Sequence, residues 1–481
     1  MKKKFVTNLA LLLFLNILIK PLWIFGIDMG VQNLVGANEY GTYASLFSFS
    51  IILNILLDLG LTNFNNKNIA QHSQLLAKYF SNMVVMKFLL GVLYAVLCLA
   101  TGYLMNYDKQ QFYLLYFLIG NQFLLSFILY LRSNLSGLHL FKTDSFISIT
   151  DRTLMLLLCG ALLINPFTRQ HFRIEWFVYS QTIAYLITFF ISFFIVLKHA
   201  GFFKLQFDFT FLVLIFKQSY PFALLVLLMS LYSRIDIVMI ERMLDDGKIQ
   251  AGIYSQAFRI IDAVSMFAFL FATLLLPIFA RMIKQKDNVT QLVRLSYLLL
   301  LVPTIVFSCV SVFYSKELMG LLYKHHVEEA SAIYTILIIG FNAVSTSYIF
   351  GTLLTANNNV KQLNYMALIG VVTNIGFNII FIPIYKAWGA AFSSLITQSI
   401  TAIIQALLAA KYFKFKILIT DVIKVLGFIT IVLLSCLATS MYVNHWLVGF
   451  IIVLCLGLIT AFLLRIINIK SLIEIIRSEG E

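Results

Sequence analysis

Three basic residues stand inside apolar stretches of the sequence, where charged side chains are uncommon: Lys20, Arg234 and Arg259. A charge in a membrane-crossing segment costs about 2.5–3.5 kcal/mol, so such a residue faces either protein or water. Lys20 precedes Pro21, and proline kinks a helix. A kink beside a cation predicts a broken helix that lines a cavity. In the alternative, the Lys20 side chain extends to the membrane interface. Because guanidinium and ammonium groups bind phosphate, the three residues predict a cationic cavity for an anionic substrate with a lipid part.

Three carboxylates accompany these cations in or near the same stretches: Asp58, Asp236 and Asp262. Arg259 and Asp262 lie three residues apart on one helical face and are expected to pair, whereas Arg234 and Asp236 point in different directions. Asp58 is either a group that couples transport to a proton or cation, or a partner for a loop lysine. Arg234, Asp236, Arg259 and Asp262 could instead form a structural network of ion pairs between their two apolar stretches.

Uncharged polar side chains also interrupt the apolar stretches, and most side chains of this kind form hydrogen bonds between helices. Four of them are candidates for contacts with the hydroxyl groups of a sugar: Asn121, Asn342, Asn374 and Asn378. Lys87 is a further charge in an apolar stretch, and we expect its ammonium group to extend to the membrane interface.

The composition excludes a water-soluble enzyme, because 61% of the residues are hydrophobic and only 12% are charged, about half the charged fraction of soluble domains. The net charge of +14 does not indicate nucleic-acid binding, since no soluble basic domain carries it. The five cysteines lie in apolar runs without metal-ligand spacing, and no nucleotide-binding or hydrolase motif is present. We therefore expect a membrane protein that is not an enzyme and needs no cofactor or metal.

Apolar runs of about 20 residues, the length that crosses a bilayer as an α-helix, predict fourteen spans. The predicted fold class is therefore an all-α polytopic membrane protein. The predicted spans are 5–29, 40–62, 79–105, 111–131, 146–165, 175–198, 211–240, 251–280, 292–314, 330–354, 362–384, 387–411, 421–443 and 446–466. Lys and Arg are in excess in cytoplasmic segments, and most of the 35 Lys and Arg residues fall there when both termini are placed in the cytoplasm.

Two segments of the sequence resemble each other, residues 26–50 and 234–260. Each contains Ile-Asp, a short polar loop and Gly-x-Tyr at the start of the next span, so that Gly41 corresponds to Gly252. Both copies begin on the cytoplasmic side, and repeats of this kind commonly form two halves that rock around a central cavity. The predicted domains are a six-helix bundle (1–205), a second six-helix bundle (206–415) and two additional spans with a cytoplasmic tail (416–481).

Three stretches carry a resemblance to a known family: Thr373–Ile400, Tyr40–Ala70 and Asp236–Ile260. The first has an Asn-rich helix, Ile-Pro, a short turn and Gly-Ala-Ala; the second includes an Asp-x-Gly exit from span 2; the third corresponds to the junction of spans 7 and 8. Together with the number of spans, they make the chain similar to the O-antigen and capsule repeat-unit flippases of the multidrug/oligosaccharidyl-lipid/polysaccharide (MOP) exporter superfamily.

This resemblance implies two six-helix bundles around a central cavity, two extra helices, and an oligosaccharide on an undecaprenyl diphosphate carrier as the substrate. It also implies basic residues of spans 1, 7 and 8 that face the cavity, and Lys20, Arg234 and Arg259 occupy fitting places. The chain departs from the family in having lysine rather than arginine on span 1, which weakens bidentate phosphate recognition. It also lacks the Gly-Ala-Ala turn between spans 5 and 6.

The predicted function is a flippase that moves lipid-linked oligosaccharide repeat units across the bacterial cytoplasmic membrane by alternating access, for O-antigen, capsule or exopolysaccharide synthesis. The predicted partners are this substrate, membrane lipids, a proton or sodium ion for coupling and a polysaccharide polymerase; nucleic acid is not expected. The alternative is a cation-coupled multidrug or small-molecule antiporter of the same superfamily, which the cationic cavity disfavours. A membrane polymerase or ligase is a third possibility, disfavoured because no large loop is present.

Overall fold

The computed structural model describes residues 15–16, 18–72, 74–200, 209–415, 419–464 and 466. Within these ranges the chain is helical and contains no strand, which agrees with the predicted all-α polytopic fold. The helices are α1 (Leu18–Ile52), α2 (Leu61–Gln71), α3 (Leu75–Leu104), α4 (Lys109–Gly137), α5 (Phe141–Ile164), α6 (Pro166–Gln170), α7 (Ile174–Ala200), α8 (Phe209–Met243), α9 (Gly247–Gln285), α10 (Thr290–Phe313), α11 (Ser315–Leu322), α12 (Val327–Ala356), α13 (Val360–Phe413), α14 (Ile419–Tyr442) and α15 (Trp446–Leu463).

Eleven helices of the described residues are long and apolar enough to cross a membrane, and the bent pair Leu18–Ile52 and Asn54–Gln71 brings the number to as many as twelve. The sequence predicted fourteen spans, of which residues 5–14 and 17 lie outside the described ranges. The two numbers differ because α1 and α13 each cover two predicted spans, with a break in the backbone between them.

Helix α13 is a hairpin of two crossings. Its 54 residues would extend about 80 Å as one straight helix, well beyond the roughly 30 Å of a hydrocarbon core. Yet Gln362 near its start donates a hydrogen bond to the Tyr412 hydroxyl near its end, at 2.9 Å. The chain reverses at Lys386, which has φ 53° and ψ −137°, so the predicted spans 362–384 and 387–411 are its two arms.

Helix α1 also reverses, at Gly36, whose φ of 79° and ψ of 173° are accessible to glycine. Across this reversal the Tyr40 hydroxyl lies 2.9 Å from both carboxylate oxygens of Asp28, although twelve residues of straight helix would extend about 18 Å. Pro21 itself keeps helical angles of φ −62° and ψ −40°, and directly after it the chain widens into a π-helix over Leu22–Asp28. A π-helical turn is one of the usual causes of a helix kink, and the kink beside Lys20 stays a prediction.

The chain forms two compact units, residues 1–252 and 253–481, with the boundary inside α9. In the first unit α4 packs against α1, α2 and α7, and α8 packs along α1, so the seventh predicted span groups with the N-terminal spans. In the second unit α12 packs against α10 and α13, while α14 and α15 pack on α10. The predicted domains 1–205, 206–415 and 416–481 were based on the sequence repeat rather than on contacts, and they stay a prediction.

The two corresponding glycines of the predicted repeat lie at one helix crossing in the first unit. A Cβ atom added to Gly41 would lie 1.8 Å from the carbonyl oxygen of Lys248, and one added to Gly252 would lie 2.0 Å from the carbonyl oxygen of Ala37. The Gln32 side chain also donates to the Gly252 carbonyl at 2.9 Å. Because lipid tails are as apolar as side chains, membrane helices associate through close backbone approach of this kind.

Candidate functional site

Lys20 is half-buried on α1, near positive charges that come from two other helices. The guanidinium groups of Arg132 on α4 and Arg152 on α5 act electrostatically on its ammonium group, as does the Asp151 carboxylate. Among the described residues, no carboxylate lies within the 4.0 Å of an ion pair with Lys20. Each guanidinium group has an aspartate of its own, Asp144 for Arg132 and Asp151 for Arg152, so these three cations and two carboxylates leave one positive charge in excess. An excess positive charge of this kind favours the binding of an anion from outside the protein. We call Lys20, Arg132 and Arg152 the Lys20 group.

An aromatic ring positions Arg152 in this group. The centre of its guanidinium lies 5.5 Å from the ring centre of Trp23, a cation–π distance, and Trp23 stacks on Phe177 of α7 at 5.6 Å. The nearest nitrogen–oxygen distance in its ion pair with Asp151 is 3.7 Å, too long for a hydrogen bond. The Trp23 ring therefore helps to hold the guanidinium in place, and its contact with Asp151 is a long ion pair without a hydrogen bond.

Arg132 connects the Lys20 group to a cavity of about 410 Å³ in the same unit. It is paired with Asp144 through two contacts, Nε–Oδ1 at 2.7 Å and Nη2–Oδ2 at 3.4 Å. Amide and hydroxyl side chains make up much of the cavity lining, including those of Asn54, Thr62, Asn63, Asn66, Gln122 and Ser136. Such a lining suits water or a ligand rich in hydroxyl groups.

No binding role was predicted for Arg132 or Arg152, because both were counted among the basic residues of cytoplasmic segments. No site role was predicted for Asp28 either; its place in the sequence suggested only its alignment in the repeat and its position about two helical turns from Lys20. Asp28 is 3% exposed, accepts a hydrogen bond from Tyr40, and acts electrostatically on Arg152. The available signal was an aspartate inside an apolar stretch, a position that costs free energy unless the protein supplies partners.

Asp58, a predicted coupling residue, forms an ion pair with Lys87, with Nζ 2.6 Å from Oδ1. The expectation that Lys87 extends to the membrane interface is wrong, because its side chain is 1% exposed. A buried ammonium group needs acceptors, and the backbone beside Asp58 supplies one, the carbonyl oxygen of Leu57 at 3.0 Å.

The remaining charged candidates lie on α8 and α9. On α8, in the first unit, Arg234 is half-buried and Asp236 is buried. On α9, in the second unit, Arg259 pairs with Asp262, with Nη1 3.6 Å from Oδ2. The meeting of Arg234 and Arg259 with Lys20 in one cavity stays a prediction.

The four asparagines that were candidates for sugar contacts have different surroundings. Asn121 is buried on α4, and its amide has no hydrogen-bond partner in the described part of the chain. Asn374 and Asn378 are buried on α13, where Asn378 donates to Asn374 at 3.2 Å. Asn342 donates to Ser308 at 3.0 Å and borders a largely apolar cavity of about 700 Å³ in the second unit. Their contacts with sugar stay a prediction.

Outside the spans, the loop between α3 and α4 is tied to the end of α8 and the start of α9. The Asp108 carboxylate accepts from the Gln111 backbone N–H at 2.8 Å and from Lys248 Nζ at 2.9 Å, and the Gln111 side chain donates to Glu241 at 2.9 Å. Burial disfavours the charged form of Asp108, but these hydrogen bonds outweigh burial and hold its pKa below the usual value.

Two family models match the chain. The one described as "Polysaccharide biosynthesis protein" matches residues 6–283, and the one described as "MatE" matches residues 221–380. No curated protein sequence matches the chain significantly.

Among solved structures, the chain is similar to the lipid II flippase MurJ in an inward closed conformation, with a TM-score of 0.74, 16% identity and coverage of 96% of this chain and 100% of that chain. It is similar to an inward-facing multidrug resistance MATE family transporter of the MOP superfamily (TM-score 0.64, 12% identity, coverage 81% and 94%). It is also similar to the Vibrio cholerae MATE transporter VcmN in its bent form (TM-score 0.54, 13% identity, coverage 86% and 97%). At these identities the likeness shows the fold.

The first family model covers more than half of the chain. The chain therefore belongs to the polysaccharide biosynthesis protein family.

Proposed function

We propose that this protein flips an oligosaccharide linked to a lipid diphosphate, such as undecaprenyl diphosphate, across the bacterial cytoplasmic membrane, for the synthesis of O-antigen, capsule or exopolysaccharide. Family membership supports transport in polysaccharide biosynthesis. The observation that carries the choice of substrate is the Lys20 group, in which the ammonium group of Lys20 has no carboxylate partner within ion-pair distance among the described residues and lies in the field of two guanidinium groups and of Asp151.

A diphosphate suits this group because its several oxygen atoms accept hydrogen bonds from both types of cation. Arg152 binds in a planar, two-point manner, and Lys20 contributes a point charge. The polar cavity that Arg132 borders lies next to this group and would receive the first sugar rings. The lipid chain would stay among the apolar helix faces, so that the charged and hydroxylated part alone crosses the membrane interior.

The direction and the energy source are part of the same proposal. Both termini face the cytoplasm, the substrate enters from the cytoplasmic leaflet, and a proton or sodium gradient drives the cycle. A polysaccharide polymerase would receive the flipped unit. Arg234, Arg259 and the four asparagines keep the roles that the sequence predicts for them.

The test replaces Lys20 in the cell that makes the polysaccharide. We expect Lys20→Ala to abolish surface polysaccharide and to increase the lipid-linked precursor in the inner leaflet, with an unchanged amount of protein in the membrane. Lys20→Arg should retain export, because a guanidinium also binds phosphate. Lys198→Ala is the matched control, since Lys198 is an exposed basic residue at the end of α7. Normal surface polysaccharide in Lys20→Ala would contradict the proposed substrate site.

A cation-coupled multidrug antiporter is the second candidate, and the match of residues 221–380 to MatE is the observation that favours it. Efflux of cationic dyes from cells that express the protein would distinguish the two. Dye efflux that survives in Lys20→Ala, together with unaffected polysaccharide, would favour the antiporter.

A further inference from the structure

The second predicted span is broken in the first unit, although a helix that crosses a membrane normally satisfies its own backbone groups. After α1 ends, a 3-10 turn covers Asn54–Leu57. Two residues with positive φ follow, Leu59 at 43° and Gly60 at 86°, and only then does α2 begin. The chain bends by 51° between Leu18–Ile52 and Asn54–Gln71. Such a break leaves backbone carbonyl groups that need donors from elsewhere.

The ammonium group of Lys87 reaches this break from α3 and meets three oxygen atoms there. Its Nζ lies 2.6 Å from Asp58 Oδ1, 3.0 Å from the Leu57 carbonyl oxygen and 3.0 Å from Ser126 Oγ. An ammonium group has three N–H donors, so each of them has an acceptor. Asp58 is also the charged group whose field acts on Lys87.

One carboxylate, one backbone carbonyl and one hydroxyl oxygen form a ligand set for a hard cation. In transporters with discontinuous helices, the unwound backbone carbonyl groups coordinate sodium ions or protons. In this protein the corresponding position holds the amine of a side chain. The ammonium group neutralises Asp58 and shares the Leu57 carbonyl oxygen with the Ser126 hydroxyl, which donates to it at 3.3 Å. A bound sodium ion would likewise offset the carboxylate charge and bind the carbonyl oxygen.

The break in the second span borders a cavity on the side of Asp58. The Asp58 side chain is 25% exposed whereas that of Lys87 is 1% exposed, so the carboxylate lies between the ammonium group and the cavity of about 410 Å³ that it borders. The amides of Asn54 and Asn63, which line this cavity, form no hydrogen bond in the described ranges and are open to water or ions. The other charged residues that line it, Arg132 and Asp144, pair with each other.

We propose that the break in the second span is a monovalent-cation site whose resident cation is the Lys87 ammonium group. The tethered cation holds the bend permanently, so this site needs no sodium from solution. The inference does not depend on the proposed substrate.

The test removes the tethered cation and offers a free one. Lys87→Ala leaves a space bordered by the same three oxygen atoms. We expect the purified full-length variant in detergent to have a Tm several degrees below the wild type in choline chloride. Sodium chloride at the same ionic strength should restore most of that Tm in a saturable manner, and methylammonium chloride should do the same. The Tm of the wild type should not differ between these salts, because its site is occupied.

Two control variants separate this effect from general salt stabilisation. Lys87→Met fills the space with an uncharged chain, and Asp58→Asn/Lys87→Ala lacks the carboxylate, so neither should respond to sodium. The proposal is overturned if Lys87→Ala responds to neither cation, or if Lys87→Met responds equally.

A second measurement covers the case in which Lys87→Ala does not fold. Asp58→Asn/Lys87→Met replaces both charges by neutral groups of similar size, and removal of a buried pair is tolerated better than removal of one partner. We expect this double variant to give more folded protein by size-exclusion chromatography than Asp58→Asn or Lys87→Met alone. A double variant no better than either single variant would overturn the proposal.

Discussion

Several charged side chains among the described helices of the first unit have a specific partner, and Lys20 differs from them. Asp58 has Lys87, Arg132 has Asp144, and Asp28 has the Tyr40 hydroxyl. Lys20 has no carboxylate within ion-pair distance among the described residues. Because an unpaired charge at bilayer depth is costly, a site that keeps one is suited to bind an anion that arrives and leaves.

At the residue scale, Tyr40→Phe tests how strongly the Asp28 carboxylate depends on its neighbour. The variant removes a hydroxyl that lies 2.9 Å from both oxygens, and the loss of a donor to a buried charge costs about 1–3 kcal/mol. We expect a lower Tm in thermal unfolding of the detergent-solubilised protein. Tyr103→Phe is the control, since Tyr103 is 77% exposed. Equal Tm values for the two variants would show that the Tyr40–Asp28 bond does not stabilise the fold.

At the element scale, two glycines decide how closely α1 and the start of α9 can approach. Their positions in the repeat were visible in the sequence, but their contact was not, because a Gly-x-Tyr pattern carries no information about which helices cross. The small residues at this crossing replace the hydrophobic driving force that is absent between helices in lipid.

Gly41→Ala is therefore expected to lower the yield of folded protein and its Tm. The new methyl group would lie 1.8 Å from the Lys248 carbonyl oxygen, and overpacking of this kind typically costs about 1–3 kcal/mol. Gly120→Ala is the matched control, because no atom lies within 4 Å of its added Cβ and alanine favours helix by about 1 kcal/mol over glycine. If both variants fold equally well, the crossing must relax more easily than its backbone contacts indicate.

At the scale of the whole molecule, polar contacts outside the spans join distant parts of the chain. Asp108 caps α4 and pairs with Lys248, 140 residues later in the sequence. Its lowered pKa means that the charged form stabilises the fold at pH values above the usual 3.9 of an aspartate. This contribution is lost as the pH falls through the lowered pKa in the folded protein.

Asp108→Asn keeps a capping side chain and removes the charge. We expect its Tm to lie below that of the wild type between pH 5 and 7, and the difference to shrink below about pH 4. The effect is at most about 1 kcal/mol, because both side chains of the pair are more than a third exposed. Thermal unfolding from pH 7 to 3 measures it. A difference that persists undiminished at pH 3 would assign the effect to something other than the charge.

The helical membrane fold follows from the sequence because, in lipid, every backbone N–H and C=O group of a span needs a hydrogen-bond partner within the protein. A chain with 61% hydrophobic residues in runs of about 20 has to form helices that satisfy their own backbone groups. The predicted spans and the i, i+3 pairing of Arg259 with Asp262 both depend on such local periodicity. The family also became visible at this level, since its motifs are short and contiguous.

Only the tertiary structure decided which charges meet. Arg132 and Arg152 act electrostatically on Lys20 from separate helices, and Lys87 donates a hydrogen bond to the Leu57 carbonyl oxygen at the break in the backbone. These choices depend on contacts between residues far apart in the chain and on backbone breaks that apolar composition does not mark. Hydropathy predicts that these side chains lie in or beside apolar spans, whereas packing determined what each of them faces.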